Sequence, residues 1–244
     1  MAGRAAIVTG ASTGIGLAIA RMLGEEGHTL TVNSRRREKI QAAHDELTDA
    51  GLTVHQVAGD VGDEEVVRRV VGEHRQRFGR LDVLVNNAGV GIGQAIGELD
   101  TKRMDVQLGA NLRSTILFYR EALELLKAAG QEHRNALVVN TASVAGKQGE
   151  AWLSVYSATK AGVVAFTESM NRELKDTGIK STALCPAFVD TPMTDFIKGQ
   201  VPAEGMIRTQ DIAEAVRMLL RLSPGCVVPE LIFTAPGGAL GLPS

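Results

Sequence analysis

The 244-residue sequence predicts an α/β fold: a doubly wound parallel sheet of about seven strands flanked by helices. Short apolar runs alternate with longer segments of helical periodicity from one end of the chain to the other. A glycine-rich turn joins the first apolar run to the first helix. Because no linker, repeat or low-complexity tract interrupts this pattern, we expect a single domain over residues 1–244.

The first strand is predicted from the apolar run 5–8, which Thr9 and Gly10 end, and the helix after it has an apolar face over 17–23. Later apolar runs extend the alternation. Between 112 and 126 apolar residues occupy more than one helix face, which predicts a helix buried on both sides. The predicted strands lie near 5–9, 28–32, 53–57, 81–85, 136–140, 180–184 and 230–234. The predicted helices lie near 15–26, 36–50, 63–77, 101–128, 154–176 and 210–221.

The turn between the first strand and the first helix has the character of a dinucleotide-binding site. Its glycines follow the spacing G-x-x-x-G-x-G. Glycine permits positive φ and lets the backbone approach a ligand closely, and the start of a helix offers unpaired N–H groups to a pyrophosphate. Tight packing alone would also select glycine, but the strand–turn–helix context favours cofactor binding. The predicted contacts are Gly10, Ser12, Thr13, Gly14, Ile15 and Gly16.

The residues after the second predicted strand favour NADP(H), with NAD(H) as the alternative cofactor. An acidic residue about twenty positions past the glycines would bind the ribose 2′-hydroxyl of NAD. Ser34 and three arginines, 35–37, stand there instead. Arginine suits a 2′-phosphate by its charge and fork geometry, so we predict Ser34 and Arg35 as contacts. The alternative is that these arginines form a solvated basic start to the next helix.

Tyr156 and Lys160 are four residues apart, and Ser143 lies thirteen residues before Tyr156. On a helix, positions i and i+4 share a face, so the phenol and the ammonium would lie side by side. A neighbouring positive charge favours the phenolate, and we therefore expect a lowered pKa for Tyr156. Such a group could donate and accept protons near working pH. The spacing alone is common on exposed helices, and the glycine-rich turn at the other end of the chain is what strengthens it.

With these motifs together, the chain resembles the single-domain branch of the short-chain dehydrogenase/reductase superfamily over nearly its whole length. The matching motifs, in order, are Thr9–Gly16, Asp60-Val61, Asn86–Gly89, Asn111, Ser143, Tyr156 with Lys160, and Pro186–Thr191. Two features depart from the family pattern. Ala187 stands where the family usually has glycine, and residues 226–234 lack the usual T-G-Q before the last strand.

The resemblance implies a Rossmann-type NAD(P)-binding domain with a catalytic tetrad. Tyr156 would exchange a proton with the carbonyl oxygen, Ser143 would polarise that oxygen, and Lys160 would lower the pKa of the tyrosine and hold the ribose hydroxyls. Asn111 would anchor a proton-relaying water. In the alternative, Ser143 only caps a turn and Asn111 only stabilises a helix kink. Further cofactor contacts implied by the resemblance are Asp60, Val61, Asn87, Ala88, Gly89, Tyr156, Lys160, Pro186, Val189 and Thr191.

The expected activity is hydride transfer between NADP(H) and a carbonyl or secondary alcohol, either a 3-oxoacyl compound or another ketone. Two alternatives stay open. One is a catalytically silent protein that senses dinucleotides, and the other is an epimerase or lyase that uses the same tyrosine. We expect the substrate loop, or lid, at about 187–209, where apolar residues such as Met193 and Phe196 stand among prolines and glycines. Packing of that loop on its own domain is the alternative. Trp152 suggests an apolar or cyclic substrate.

The composition excludes several other classes of function. A net charge of −2 does not favour nucleic-acid binding, and no apolar run is long enough to span a membrane. The first strand starts within a few residues of Met1, so we expect no signal peptide and a cytoplasmic location. The five histidines lack metal-ligand spacing, and we expect no metal site. The two cysteines do not suggest a disulfide framework. The resemblance implies a homotetramer, or a dimer, built from the two helices at 101–128 and 154–176.

Overall fold

The computed structural model describes residues 3–199, 201 and 203–236. Within these residues, seven parallel strands form one sheet in the order β3-β2-β1-β4-β5-β6-β7. The predicted fold class is confirmed. The strands are β1 (Ala5–Thr9), β2 (Thr29–Ser34), β3 (Val54–Ala58), β4 (Val83–Asn86), β5 (Ala136–Thr141), β6 (Ile179–Pro186) and β7 (Glu230–Phe233). The helices are α1 (Gly14–Glu25), α2 (Arg37–Asp49), α3 (Glu64–Phe78), α4 (Thr101–Gln107), α5 (Ser114–His133), α6 (Ser154–Glu173) and α7 (Thr209–Arg221).

The core lies on both faces of the sheet, as is typical of a parallel sheet that helices cover on both sides. On one face the sheet packs against α1, α2 and α7 through residues such as Leu23, Ile40 and Val216. On the other face it packs against α3 and α5 through residues such as Val70 and Phe118. The sheet therefore presents only its strand ends, and the loops that follow them, to a ligand.

The prediction of one continuous helix over 101–128 is wrong. Helix α4 ends at Gln107, a π-helical stretch follows over Leu108–Arg113, and α5 then continues to His133. Two side chains of this region hold the loop after β4: the Gln107 Oε1 accepts a hydrogen bond from Ile92 N (3.1 Å), and the Asn111 Oδ1 accepts one from Val90 N (2.7 Å). The wider π-helical turn brings both side chains to the same loop. Helical periodicity in the sequence does not reveal that these two side chains bind this loop.

The order of the strands reverses between β1 and β4. The chain runs outward from β1 through β2 to β3, then returns to pair β4 against the other side of β1. The connections after β1 and after β4 therefore leave the sheet in opposite directions, which opens a crevice at the carboxyl ends of these two strands. The glycine-rich turn of residues 10–14 lies at this point. None of the helices described here has both the length and the apolar character needed to cross a membrane.

Candidate active site

A cleft of about 560 Å³ lies at the carboxyl ends of the strands. Most residues that the sequence predicts as functional line it. The predicted residues that it brings together are Gly10, Ser12, Thr13, Gly14, Ile15, Asn87, Ala88, Gly89, Ser143, Tyr156, Lys160, Pro186, Val189 and Thr191. They come from five separate parts of the chain, and the parallel sheet brings these parts to one edge.

The glycine-rich turn is shaped to receive a ligand closely. Gly10 and Gly14 have φ of 63° and 59°, in the left-handed region that side chains other than glycine rarely adopt. A Cβ at Gly10 would lie 2.8 Å from the Cα of Ala88. Thr13 stands at the start of α1 but its side chain makes no capping hydrogen bond. The N–H groups in the first turn of α1 therefore donate no hydrogen bond to this side chain. This open cradle at a helix N-terminus suits a pyrophosphate.

Tyr156 and Lys160 both lie on the first two turns of α6 and face the cleft. The Lys160 Nζ lies 5.6 Å from the centroid of the Tyr156 ring and donates a hydrogen bond to the Thr141 carbonyl oxygen (2.7 Å). Lys160 is only 4% exposed. An ammonium can donate three hydrogen bonds, and among the described residues Thr141 is its recorded acceptor. The remaining N–H groups are therefore suited to hydroxyl groups of a bound ribose.

The expected lowering of the Tyr156 pKa is wrong for this arrangement. Burial raises the pKa of Tyr156, and the nearby Ser143 hydroxyl only partly opposes that shift. Burial also lowers the pKa of Lys160, to about 8. Desolvation disfavours the phenolate and the ammonium alike, and the Lys160 Nζ lies 5.6 Å from the centroid of the phenol ring. At neutral pH, Tyr156 is thus a protonated phenol.

Ser143 and Asn111 make the hydrogen bonds that a turn cap and a structural amide would make, as the alternative interpretations expected. The Ser143 hydroxyl accepts a hydrogen bond from Ala145 N (3.2 Å) and so caps the turn after β5, although it also lines the cleft. The Asn111 amide donates to the Val90 carbonyl oxygen (2.9 Å) and to the Thr159 hydroxyl (3.1 Å). Asn111 does not line the cleft; its side chain holds the loop that carries Gly89 and the helix that carries Tyr156.

Five other predicted contacts lie outside the cleft. A Cβ at Gly16 would come within 2.4 Å of the Gly10 carbonyl oxygen, so this glycine allows α1 to pack behind the turn. Val61 is buried in the core, while the exposed Asp60 accepts a hydrogen bond from Gly62 N (2.9 Å). Ser34 ends β2 next to β1, and the exposed Arg35 follows it. Ser34 and Arg35 thus lie at the carboxyl end of β2, next to the end of β1 from which the glycine-rich turn starts.

The predicted substrate loop divides into a packed part and an open part. Val189 pairs with Ile207, and both are buried together with Ile197, as the packing alternative expected. Met193 and Phe196, by contrast, are 52% and 64% exposed and line the cleft. Gln200 and Pro202, which belong to the predicted loop, lie outside the described residues.

Several residues of the cleft have no signal in the sequence. Thr141 contributes a backbone carbonyl oxygen, which no side-chain pattern identifies. Gly93 and Glu150 also line the cleft, yet neither belongs to a motif. Thr9 stands inside a recognised motif, but its role in joining β1 to β4 depends on a partner strand 76 residues away.

Comparison with known proteins gives a consistent result. The family model described as short chain dehydrogenase matches residues 4–201. A putative ketoacyl reductase of Streptomyces coelicolor is 36% identical, and the alignment covers 95% of both chains.

Two solved structures are similar over nearly the whole chain. A point variant of the actinorhodin polyketide ketoreductase, crystallised with NADPH, superposes with a TM-score of 0.84 at 34% identity and covers 95% of each chain. An alcohol dehydrogenase of Thermococcus sibiricus, in complex with 5-hydroxy-NADP, superposes with a TM-score of 0.85 at 30% identity and covers 95% of this chain and 96% of that one.

Lys160→Met should change how stability depends on pH. The pKa of Lys160 is about 8 in the folded chain and about 10.4 in an unfolded one. Between these values the unfolded chain binds more protons, so the Lys160 contribution to the free energy of unfolding rises with pH. The stability of Lys160→Met minus that of the wild type should therefore fall by about 3 kcal/mol between pH 7 and pH 10.5. Urea unfolding at several pH values measures this difference.

The exposed Lys175 provides the control, because Lys175→Met removes an ammonium from the surface. A difference between Lys160→Met and the wild type that stays constant from pH 7 to pH 10.5 would contradict the burial of this charge.

Proposed function

The chain belongs to the short-chain dehydrogenase family and is an NAD(P)-dependent oxidoreductase, and from this we propose that it transfers a hydride between NADP(H) and a ketone or secondary alcohol. The observation that carries the proposal is the meeting of Tyr156, Ser143 and Lys160 in one cleft with the glycine-rich turn. The relatives support a ketone as substrate, since the Streptomyces coelicolor protein is named as a ketoacyl reductase.

The proposed chemistry divides between the cofactor and the side chains. A bound NADPH supplies the hydride. Tyr156 holds a proton close to the place where the carbonyl oxygen of a substrate gains negative charge, and it donates that proton as the alcohol forms. Ser143 also lines the cleft, and its hydroxyl, which donates to the Pro186 carbonyl oxygen in the structure (3.4 Å), would donate instead to the substrate oxygen and stabilise the charge. Lys160 holds the ribose end of the cofactor, and Asn111 positions the loop and helix on which these groups stand.

The pKa of Tyr156 favours reduction at neutral pH. A phenol whose pKa is raised by burial is protonated at neutral pH, and this is the form that reduction of a carbonyl group requires. Oxidation of an alcohol needs the phenolate as a base, and burial disfavours that form. We therefore propose that the protein acts as a reductase near neutral pH and that oxidation becomes efficient only in alkaline solution.

The proposed cofactor preference rests on Ser34 and Arg35. Ser34 is the last residue of β2, the strand that pairs with β1, and the exposed Arg35 follows it, where its guanidinium could pair with a 2′-phosphate. The two structural neighbours support the same choice, because one is a complex with NADPH and the other with a derivative of NADP. Asp60 and Val61, on the loop after β3, are proposed to bracket the adenine.

The two alternative functions make distinct demands. A sensing protein needs only the nucleotide half of the cleft, and the buried Lys160 and the cleft-lining Ser143 and Tyr156 argue against it. An epimerase or lyase would form product without net change in cofactor absorbance.

The homotetramer stays a prediction. Exposed apolar side chains on the α4–α5 segment (Val106, Leu108 and Ile116) support it, and light scattering would measure the mass of the oligomer. The cytoplasmic location also stays a prediction.

Tyr156→Phe should abolish most of the ketone reductase activity. The change removes the proton donor and keeps the ring, so the dissociation constant for NADPH should stay nearly constant. Loss of a general acid reduces turnover by about 100- to 10,000-fold. Steady-state kinetics with a ketone panel and NADPH fluorescence titration measure the two effects.

The control uses the other tyrosine of the chain. The Tyr119 hydroxyl is buried against the Ser181 hydroxyl (2.9 Å), away from the cleft. Tyr119→Phe removes the same atom and should preserve turnover. If Tyr156→Phe keeps more than about a tenth of wild-type turnover, the proton-donor role is wrong.

Arg35→Ala should weaken the use of NADPH selectively. A charged hydrogen bond to a phosphate corresponds to a change of about 10- to 100-fold in kcat/KM, and NADH lacks the 2′-phosphate. The ratio of kcat/KM for NADPH to that for NADH should therefore fall by this factor. Arg75→Ala, on the exposed face of α3, makes the same change in net charge and should leave the ratio alone. Equal or better use of NADH by the wild type would refute the preference itself.

A further inference from the structure

Trp152 adopts a backbone conformation that a large side chain rarely takes. Its φ is 67°, in the left-handed region, where a bulky residue is strained. Its carbonyl oxygen accepts a hydrogen bond from Gln94 N (2.8 Å), which ties the turn before α6 to the loop after β4. Strain that the surrounding structure maintains often accompanies a functional site.

Gly93 makes room for the Trp152 indole. A Cβ at position 93 would lie 2.2 Å from a carbon of the six-membered ring of the indole, so any other residue there would displace the ring. The indole thus rests on bare backbone, and 55% of the residue remains exposed. It lines the cleft together with the exposed Met193 and Phe196. An aromatic surface of this kind is suited to stacking against a flat ring of a substrate.

Glu150 also lines the cleft, two residues before Trp152. Its Oε1 is covered by the protein and has no hydrogen-bond partner among the described residues. The nearest lysine in sequence, Lys147, is committed elsewhere, because its Nζ pairs with the Glu230 carboxylate (2.9 Å). A covered carboxylate oxygen without a donor is unfavourable, and rotation of the Glu150 side chain towards the cleft would bring the carboxylate to a donor on a ligand.

The backbone of Glu150 is tied to the helix that carries Tyr156. Its backbone N–H donates a hydrogen bond to the hydroxyl of Ser157, the residue next to Tyr156 (3.3 Å). The carboxylate, the indole and the proposed proton donor therefore stand on one short segment of chain. A substrate whose carbonyl group reaches Tyr156 would extend the rest of its body along Trp152 and Glu150.

We infer that Glu150 and Trp152 form a substrate-selectivity subsite for a cyclic ketone that carries a hydroxyl group on its ring system. The indole contacts the ring system, and the carboxylate accepts the hydrogen bond of the hydroxyl group. A negatively charged group at the same place would be repelled. This inference rests on the proposed ketone reductase activity, and it names the class of ketone.

The first experiment measures NADPH-dependent kcat/KM for 1-tetralone, its 5-, 6- and 7-hydroxy derivatives and the three matching methyl ethers. A methyl ether occupies the same position but cannot donate a hydrogen bond. For at least one position, the wild type should prefer the hydroxy compound over its ether by about tenfold or more. In Glu150→Leu this ratio should fall to near one. Glu98→Leu, at an exposed position outside the cleft, removes the same charge and should keep the wild-type ratio.

The second experiment removes the indole. Trp152→Gly suits the positive φ, so folding should be preserved. The ratio of kcat/KM for 1-tetralone to that for the acyclic ketone ethyl 3-oxobutanoate should fall by about tenfold, because only the ring contacts the indole. Trp152→Phe keeps an aromatic ring and should recover part of this ratio.

The outcomes distinguish failure of the subsite from failure of the proposed function. Reduction of ethyl 3-oxobutanoate, with no preference for hydroxylated rings and no effect of Glu150→Leu or Trp152→Gly on the ratios, would overturn the subsite and leave the proposed function intact. Absence of reduction for every ketone tested would overturn the proposed function, and the subsite with it.

Discussion

The hydroxyl group of Thr9 joins the two halves of the sheet at the place where the strand order reverses. It donates a hydrogen bond to the Val85 carbonyl oxygen (3.3 Å) and accepts hydrogen bonds from the N–H groups of Asn87 and Ala88 (both 3.0 Å). The Asn87 amide in turn donates to the Gly10 carbonyl oxygen (3.2 Å). Because these bonds fix the end of β1 against the end of β4, they also fix the glycine-rich turn against the loop that leads to the catalytic side of the cleft. The rest of the site depends on this constraint.

The burial that the cleft requires also determines its chemistry. Lys160 lies 4% exposed on α6, where its ammonium donates to the Thr141 carbonyl oxygen at the end of β5. Low exposure disfavours every charge in the neighbourhood, so it keeps the Tyr156 phenol protonated and brings the pKa of Lys160 down to about 8. An ammonium beside a phenol is therefore not sufficient to make a base. The balance between desolvation and electrostatic attraction determines the pKa of the phenol, and for Tyr156 desolvation is the larger effect.

The fold could be predicted from the sequence because it depends on local patterns. Strands such as β1 and β4 are short apolar runs, and the bounds of β1, 5–9, agree with the prediction. Features that depend on contacts between distant segments could not be predicted. The π-helical stretch at 108–113 reflects the bonding of Asn111 to Val90, and the raised pKa of Tyr156 reflects burial that only the assembled cleft produces. Glu150 and Gly93 carry no periodic or motif signal, since each acquires its meaning from a neighbour in space.

The residues proposed for chemistry and those proposed for selectivity lie on one continuous segment of the chain. Tyr156 and Lys160 stand on the first turns of α6, and the turn that carries Glu150 and Trp152 enters the same helix. The hydrogen bond from Glu150 N to the Ser157 hydroxyl (3.3 Å) links them directly, while that from Gln94 N to the Trp152 carbonyl oxygen (2.8 Å) secures the turn from the other side. A change of sequence in this turn can alter the walls of the cleft without moving the proton donor, because the helix is held independently through Lys160 and Thr159. The scaffold can thus vary its substrate while its chemistry stays constant.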